Sequence, residues 1–169
     1  MQDLVQEVLT TIEQNEGKLI TGVPSGFTEL DEITHGMQRG ELIILAARPS
    51  MGKTAFALNI AEQMSMYGHG VGVFSLEMSR TQLVQRLLSA RSGVDSQKIR
   101  RNMLGRDDWN RLRDACAELY ETPMYIDDTP GLTLLQMRAK ARRMVARYDV
   151  QAIIIDYMQL MSSGPRTES

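Results

Sequence analysis

The run Glu41-Leu42-Ile43-Ile44-Leu45-Ala46-Ala47-Arg48-Pro49-Ser50-Met51-Gly52-Lys53-Thr54 joins an apolar stretch to a glycine-bearing loop and opens onto Phe56, Ile60 and Met64. The apolar stretch predicts a strand over 42–47, and the later spacing predicts a helix beginning near Lys53. Between them, Ala47 to Thr54 fits the phosphate-loop pattern Gly-x-x-x-x-Gly-Lys-[Ser/Thr] with one departure, Ala47 in place of the first glycine. Alanine serves there if the backbone keeps an ordinary negative φ. In such a loop the backbone N–H groups converge on an anion at the positive end of the helix dipole. Gly52 lets the chain approach the phosphates closely. Lys53 reaches the β- and γ-phosphates as a point charge, and the Thr54 hydroxyl completes the coordination of a magnesium ion. A solvated helix start is the plain alternative for Lys53-Thr54.

Working outward, further apolar runs occur at Val71–Leu76, Met124–Ile126 and Ala152–Ile155, separated by helical patterns beginning near Ser79, Asp107 and Thr133. Strands alternating with crossovers of a dozen residues or more give an α/β class, doubly wound around a mainly parallel sheet. The run Ile153-Ile154-Ile155 ends in Asp156, at the carboxyl edge where open α/β sheets bind ligands. Beside a phosphate loop, Asp156 is the candidate acid that holds magnesium through water; alone, it would be a plain strand end. Val71–Leu76 ends in Glu77, the candidate base for an attacking water. Its competing role is a carboxylate at a helix N-terminus capped by Ser79.

Composition narrows the class. Lys+Arg 19 against Asp+Glu 21 leaves a net charge of −2, which argues against a surface built wholly for nucleic acid. No apolar run reaches the roughly 18 residues of a membrane span. One cysteine, Cys116, and two histidines, His35 and His69, allow neither an internal disulfide nor a zinc site. The first residues carry no secretory pattern, so a cytoplasmic location is expected. Residues 1–16 place Leu4, Val5, Val8, Leu9 and Ile12 on one helical face, able to fold back on this chain or dock on another subunit. The stretch 162–169 reads as a mobile tail or cut loop.

Several stretches now combine: Thr21-Gly22-Val23-Pro24-Ser25-Gly26-Phe27 with Leu30-Asp31, Arg48-Pro49-Ser50-Met51-Gly52-Lys53-Thr54, Ser75-Leu76-Glu77-Met78, Ile126-Asp127-Asp128-Thr129-Pro130-Gly131-Leu132-Thr133, and Ile155-Asp156-Tyr157-Met158-Gln159-Leu160-Met161. Together they resemble the ATPase domain of the DnaB-type replicative helicases, a hexameric branch of the RecA-like P-loop motors. The Arg-Pro-Ser-Met variant of the loop accounts for Ala47. The resemblance implies a RecA-like core over 17–161 that hydrolyses ATP with Mg2+, translocates 5′ to 3′ on single-stranded DNA and unwinds forked duplex. It implies Arg48, Pro49, Ser50, Met51, Gly52, Lys53, Thr54 and Ala55 at the nucleotide, Glu77 and Lys53 in catalysis, and Thr54 and Asp156 at the metal. It also implies a homohexameric ring, with primase and a helicase loader as partners, and makes 1–16 a linker helix docking on the adjacent subunit. In this family a collar domain precedes the linker, and the glutamine sensor, arginine finger and DNA loops lie beyond the Asp156 strand. The chain therefore reads as a fragment that is nearly inactive alone. The alternatives are a RecA-like recombination or repair ATPase, and a nucleotide-binding oligomerisation module that does not hydrolyse ATP.

Other residues have simpler uses. The basic run Arg138, Lys140, Arg142, Arg143 and Arg147 is expected on the outer face of a helix, solvated or at a subunit contact. Leu134, Met137, Ala141, Met144, Val145 and Tyr148 should face its core. Asp127-Asp128 should cap a turn rather than bind a metal. Trp109, on a helix with Leu112, Cys116 and Leu119, should pack, and the 12 methionines should mostly fill the core.

Overall fold

The structure, a computed structural model, describes residues 1–48 and 50–161. Pro49 of the expected phosphate loop and the expected tail at 162–169 lie outside the described residues. The chain divides into two compact units, Met1–Ile43 and Ile44–Ser169.

The first unit holds α1 (Gln2–Asn15) and α2 (Thr28–Thr34). Leu4, Val5, Val8, Leu9 and Ile12 form the expected apolar face of α1, and all are exposed. The Thr21–Gln38 segment is tied together by a buried carboxylate: Asp31 accepts from the Ser25 N–H at 2.7 Å and the Gly26 N–H at 3.1 Å. Val23 and Met37 form an antiparallel bridge beside Gly22 and Gly36. Gly36 has φ +80°, and a Cβ there would stand 2.8 Å from the Gly22 carbonyl carbon, so only glycine fits.

In the second unit follow α3 (Lys53–Met66), β1 (Gly70–Ser75), α4 (Arg80–Ser92), α5 (Ser96–Arg100), α6 (Arg106–Tyr120), β2 (Met124–Asp127), α7 (Leu134–Tyr148) and β3 (Val150–Asp156). The sheet is parallel in the order β2-β1-β3. Central β1 is buried throughout, as a strand covered on both faces must be. Phe74 packs with Leu132 and Met137 against Ala141, Met144 and Ile155, so α7 covers that face. Alternation sends Val71 and Val73 to the other face, where α3 runs across the strands and buries Leu58, Ala61 and Met64. Capping boxes start α4 and α7: Ser79 accepts from the Gln82 N–H and Thr133 from the Gln136 N–H, and each glutamine accepts in return.

The structure corrects several expectations. Residues 41–48 form no strand, and Leu42, Ile43, Ile44 and Leu45 are exposed. An apolar, β-branched run has the propensity for a strand, but a strand exists only with a ladder partner, and none of the described ladders includes it. On α7, Met137, Ala141 and Met144 meet the core, whereas Leu134 and Val145 lie to one side of that stripe and are exposed. Tyr148, at the helix end, stacks on Tyr125 with centroids 4.3 Å apart. Lys140 is not on the solvated face, since it is half-buried against Asp127. On α6, Leu112 and Ala115 are buried while Cys116 is exposed and Trp109 is half-exposed. Met64 and Met137 fill the core, but Met51, Met103 and Met158 are exposed.

Candidate nucleotide site

In parallel strands the carboxyl ends line one edge of the sheet. Asp156, the last residue of β3, stands in register with Ser75, the last of β1, and its carbonyl accepts from the Leu76 N–H at 2.8 Å. Glu77 is the next residue, so both acids leave adjacent strand ends whose backbones are about 4.8 Å apart. The Ser75 hydroxyl donates to the Met78 carbonyl at 2.7 Å and accepts from the Met78 N–H, holding the turn that exposes Glu77.

The loop before α3 reaches the same edge. Ser50 has φ +64° and Gly52, the residue just before α3, has φ +89°. No atom lies within 4 Å of a Cβ placed on Gly52, so glycine is required there for conformation rather than space. The Met51 N–H donates to the Arg48 carbonyl and the Phe56 N–H to the Gly52 carbonyl, closing the turn into the helix. Ala55 lies in the first helical turn, and Arg48, Met51 and Ala55 are exposed.

Three of the expected side chains meet. The Thr54 hydroxyl donates to Asp156 Oδ2 at 2.5 Å, and Lys53 Nζ lies 3.3 Å from Asp156 Oδ1. Asp156 is thus buried with both carboxylate oxygens engaged. Sequence reasoning passed over Tyr157, whose ring centroid lies 4.2 Å from Lys53 Nζ. Its signal was present as an aromatic side chain immediately after the acid at the strand end.

Elsewhere in this unit, Asp127 Oδ1 accepts from the Thr129 N–H, the expected turn cap, while Oδ2 accepts from Lys140 at 2.6 Å. Burial pushes the Asp127 carboxyl up, but the bonds from Lys140 and Thr129 outweigh it and leave it below the ordinary range. Asp128 accepts from the Arg80 N–H at the start of α4. The Gly105 N–H, working against burial and aided by Lys98 and Arg111, holds Asp108 low. Among the described residues no cluster of three or more His, Cys, Asp or Glu offers a ready-made metal cage, and no helix is long and apolar enough to cross a membrane.

The sheet edge thus gathers a glycine-bearing loop at a helix N-terminus, an ammonium, a hydroxyl and two strand-end carboxylates, groups of the kinds that phosphate and cation chemistry draws on. Residues 22–169 match the family model described as DnaB-like helicase C terminal domain. The chain belongs to the DnaB-like helicase family. It is 44% identical over 171 residues to the replicative DNA helicase DnaC of Bacillus subtilis (strain 168), covering 99% of this chain and 38% of that protein. It is 48% identical over 155 residues to the replicative DNA helicase DnaB of Nostoc sp., covering 90% of this chain and 18% of that protein. The chain therefore spans well under half the length of these curated relatives. Among solved structures, the ATPase domain of G40P superposes with a TM-score of 0.89 at 35% identity, covering 99% of this chain and 60% of that one. A DnaB-like replicative helicase, described with its interactions with primase, gives a TM-score of 0.84 at 35% identity, covering 100% of this chain and 41% of that one. The α/β fold is accordingly the RecA-like fold of DnaB-type ATPase domains.

Proposed function

We propose that these residues form the ATP-hydrolysing motor of a replicative DNA helicase. The observation that carries this reading is the meeting of Lys53, Thr54 and Asp156 at the sheet edge, one strand from Glu77, in a chain of the DnaB-like family. Lys53 pairs with the β- and γ-phosphates, and the backbone N–H groups of 50–55 surround them. Glu77, exposed beside the edge, orients the attacking water and takes its proton. Fixed donors aimed at the transferring phosphoryl group supply most of the rate enhancement, since this chemistry depends on positioning and charge.

The Thr54 hydroxyl and the Asp156 carboxylate, already in contact, are hard oxygen donors of the kind Mg2+ takes beside phosphate oxygens. Thr54 would hold the ion directly and Asp156 through water. When bound, the ion neutralises charge on the phosphates. Changes in nucleotide state would drive a homohexameric ring 5′ to 3′ along single-stranded DNA, with α1 as the linker helix whose exposed apolar face docks on the adjacent subunit. Primase and a loader would be partners, and the cytoplasm the location.

The test is separation of forked DNA by the full-length protein with Mg·ATP, comparing 5′-tailed and 3′-tailed substrates. Unwinding that needs the 5′ tail and is lost in Glu77→Gln is the expected result. ATP hydrolysis without strand separation would remove the helicase reading, and full unwinding by Glu77→Gln would remove that residue's role.

A further inference from the structure

We infer that Asp128 is a positioning residue for Glu77, fixing the turn that presents this carboxylate to the attacking water. The inference rests on the hydrolytic role proposed for Glu77 and deepens it. Glu77 is exposed and lies between the end of β1 and the start of α4, so its direction is set by whatever holds the backbone on either side. On the β1 side the Leu76 N–H donates to the Asp156 carbonyl at 2.8 Å. Within the turn the Ser75 hydroxyl joins Met78, and Ser79 starts α4 through its capping box. Those two contacts are local and travel with the turn. The tie that fixes its far end comes from another loop: Asp128 Oδ2 accepts from the N–H of Arg80, the first residue of α4, at 2.8 Å across 48 residues of sequence.

The loop that carries Asp128 is itself anchored. Register places Phe74 beside Asp127, so β2 ends next to the end of β1 and Asp128 emerges at the sheet edge that Glu77 occupies. Lys140 of α7 donates to Asp127 Oδ2 at 2.6 Å and to the Thr129 hydroxyl at 2.7 Å, gripping the residues on both sides of Asp128. A carboxylate on an unpaired N–H of the first helical turn is favoured by the helix dipole. Because α4 already has its own capping box, what the added bond supplies is attachment of the turn to the β2 end of the sheet. A base works only within hydrogen-bond reach of the proton it takes, and a misplacement of about 1 Å can cost on the order of a hundredfold in rate.

The experiment is ATP hydrolysis by the full-length protein, with variants that break the bond from either end. Asp128→Ala removes the acceptor. Arg80→Pro removes the donor and keeps the helix, because proline fits the first helical position and Ser79 before it already has the extended backbone, φ −68° and ψ 151°, that a following proline requires. Each should lower kcat about tenfold, part of the roughly 10²–10⁴ that a positioned base supplies, with KM and the Kd for Mg·ADP unchanged. Asp128→Asn keeps an acceptor and should recover most of the rate, and Arg80→Ala keeps the N–H and should match the parent. A merely structural defect would also depress the residual rate of Glu77→Gln, whereas a residue acting through Glu77 adds no further loss in the Glu77→Gln, Asp128→Ala double variant. Parent-like kcat in Asp128→Ala or Arg80→Pro overturns the inference, as do a raised Kd, equal losses in Asp128→Asn and Asp128→Ala, or additive losses in the double variant. Should Asp128→Ala not fold, Arg80→Pro against Arg80→Ala decides. Hydrolysis that survives Glu77→Gln refutes the role of Glu77 instead, so the two failures are distinct.

Discussion

Neutralising Glu62 should stabilise the protein. Glu62 sits on α3, the helix that Lys53 begins, with its side chain 6% exposed and its Oε1 without a hydrogen-bond partner. The facing cation, Arg91 on α4, is 3.8 Å away and is committed to Glu118 on α6 at 2.5 Å. Burial therefore pushes the Glu62 carboxyl above its ordinary value of 4.5, Arg91 offsets part of this, and Glu118 adds to it. A buried polar group left unpaired costs about 1–3 kcal/mol. Arg91 returns only part of that, because it is a third exposed and shared. Glu62→Gln keeps the shape and removes the charge, so at pH 8 it should gain about 1 kcal/mol, or roughly 2–4 °C in melting temperature for a chain of this size. Arg91→Leu should instead lose about 2 kcal/mol by leaving Glu62 unoffset, and most of that loss should vanish in the Glu62→Gln background. Because the folded-state pKa is raised, the folded chain holds this proton longer than the unfolded one. Stability from this group is thus present below about pH 4.5 and is lost as pH rises through the raised value. Urea unfolding of both variants and the double variant at pH 4 and pH 8 checks this. Destabilisation by Glu62→Gln at pH 8, or an equal gain at both pH values, would refute the reasoning.

Three further outcomes follow from contacts in the fold. Thr133→Ala removes a capping box from α7 and should cost about 1 kcal/mol in denaturant titration, most of it restored by Thr133→Ser. Asp31→Ala should expose the Ser25 and Gly26 amides, seen as faster hydrogen exchange at those two positions, at a cost of about 2 kcal/mol. Lys140→Met removes the cation that holds Asp127 low. That contact stabilises above about pH 3.8 and is lost as pH falls through the lowered value, so the gap between variant and parent in acid titration should close at low pH.

How much of this could be read from the sequence depended on whether the cause was local. Ser79 and Thr133 announce their helices because a cap and its partner lie three residues apart. That Lys53 and Thr54 would lie near Asp156 was legible because a helix that starts after a loop and an acid at a parallel strand end share one edge of the sheet. The Leu42–Ala47 run misled because composition reports propensity while a strand also needs a partner. Lys140 was placed on the outer face because helical periodicity sees only its own helix, and Asp127 pulls it inward from β2. The Glu62–Arg91–Glu118 group joins three helices, and no pattern along one segment could show it. Cys116 and Ala115 are adjacent, within the error of any periodicity argument.

The Thr54–Asp156 hydrogen bond closes a separation of 102 residues. The entropy of bringing such distant positions together grows slowly, by about 0.6 kcal/mol per doubling of loop length. What it governs is sequence of events, since contacts between distant residues form late and slow folding. On a ribosome, Lys53 and Thr54 leave the tunnel long before the acid that will hold them. Throughout that interval Lys53 and Thr54 lack the carboxylate that they contact in the folded chain. The parallel sheet admits β3 only after α7 has been made, so Asp156 arrives with the helix that covers β1. Assembly of the chemistry and completion of the core are then a single step in the life of the nascent chain.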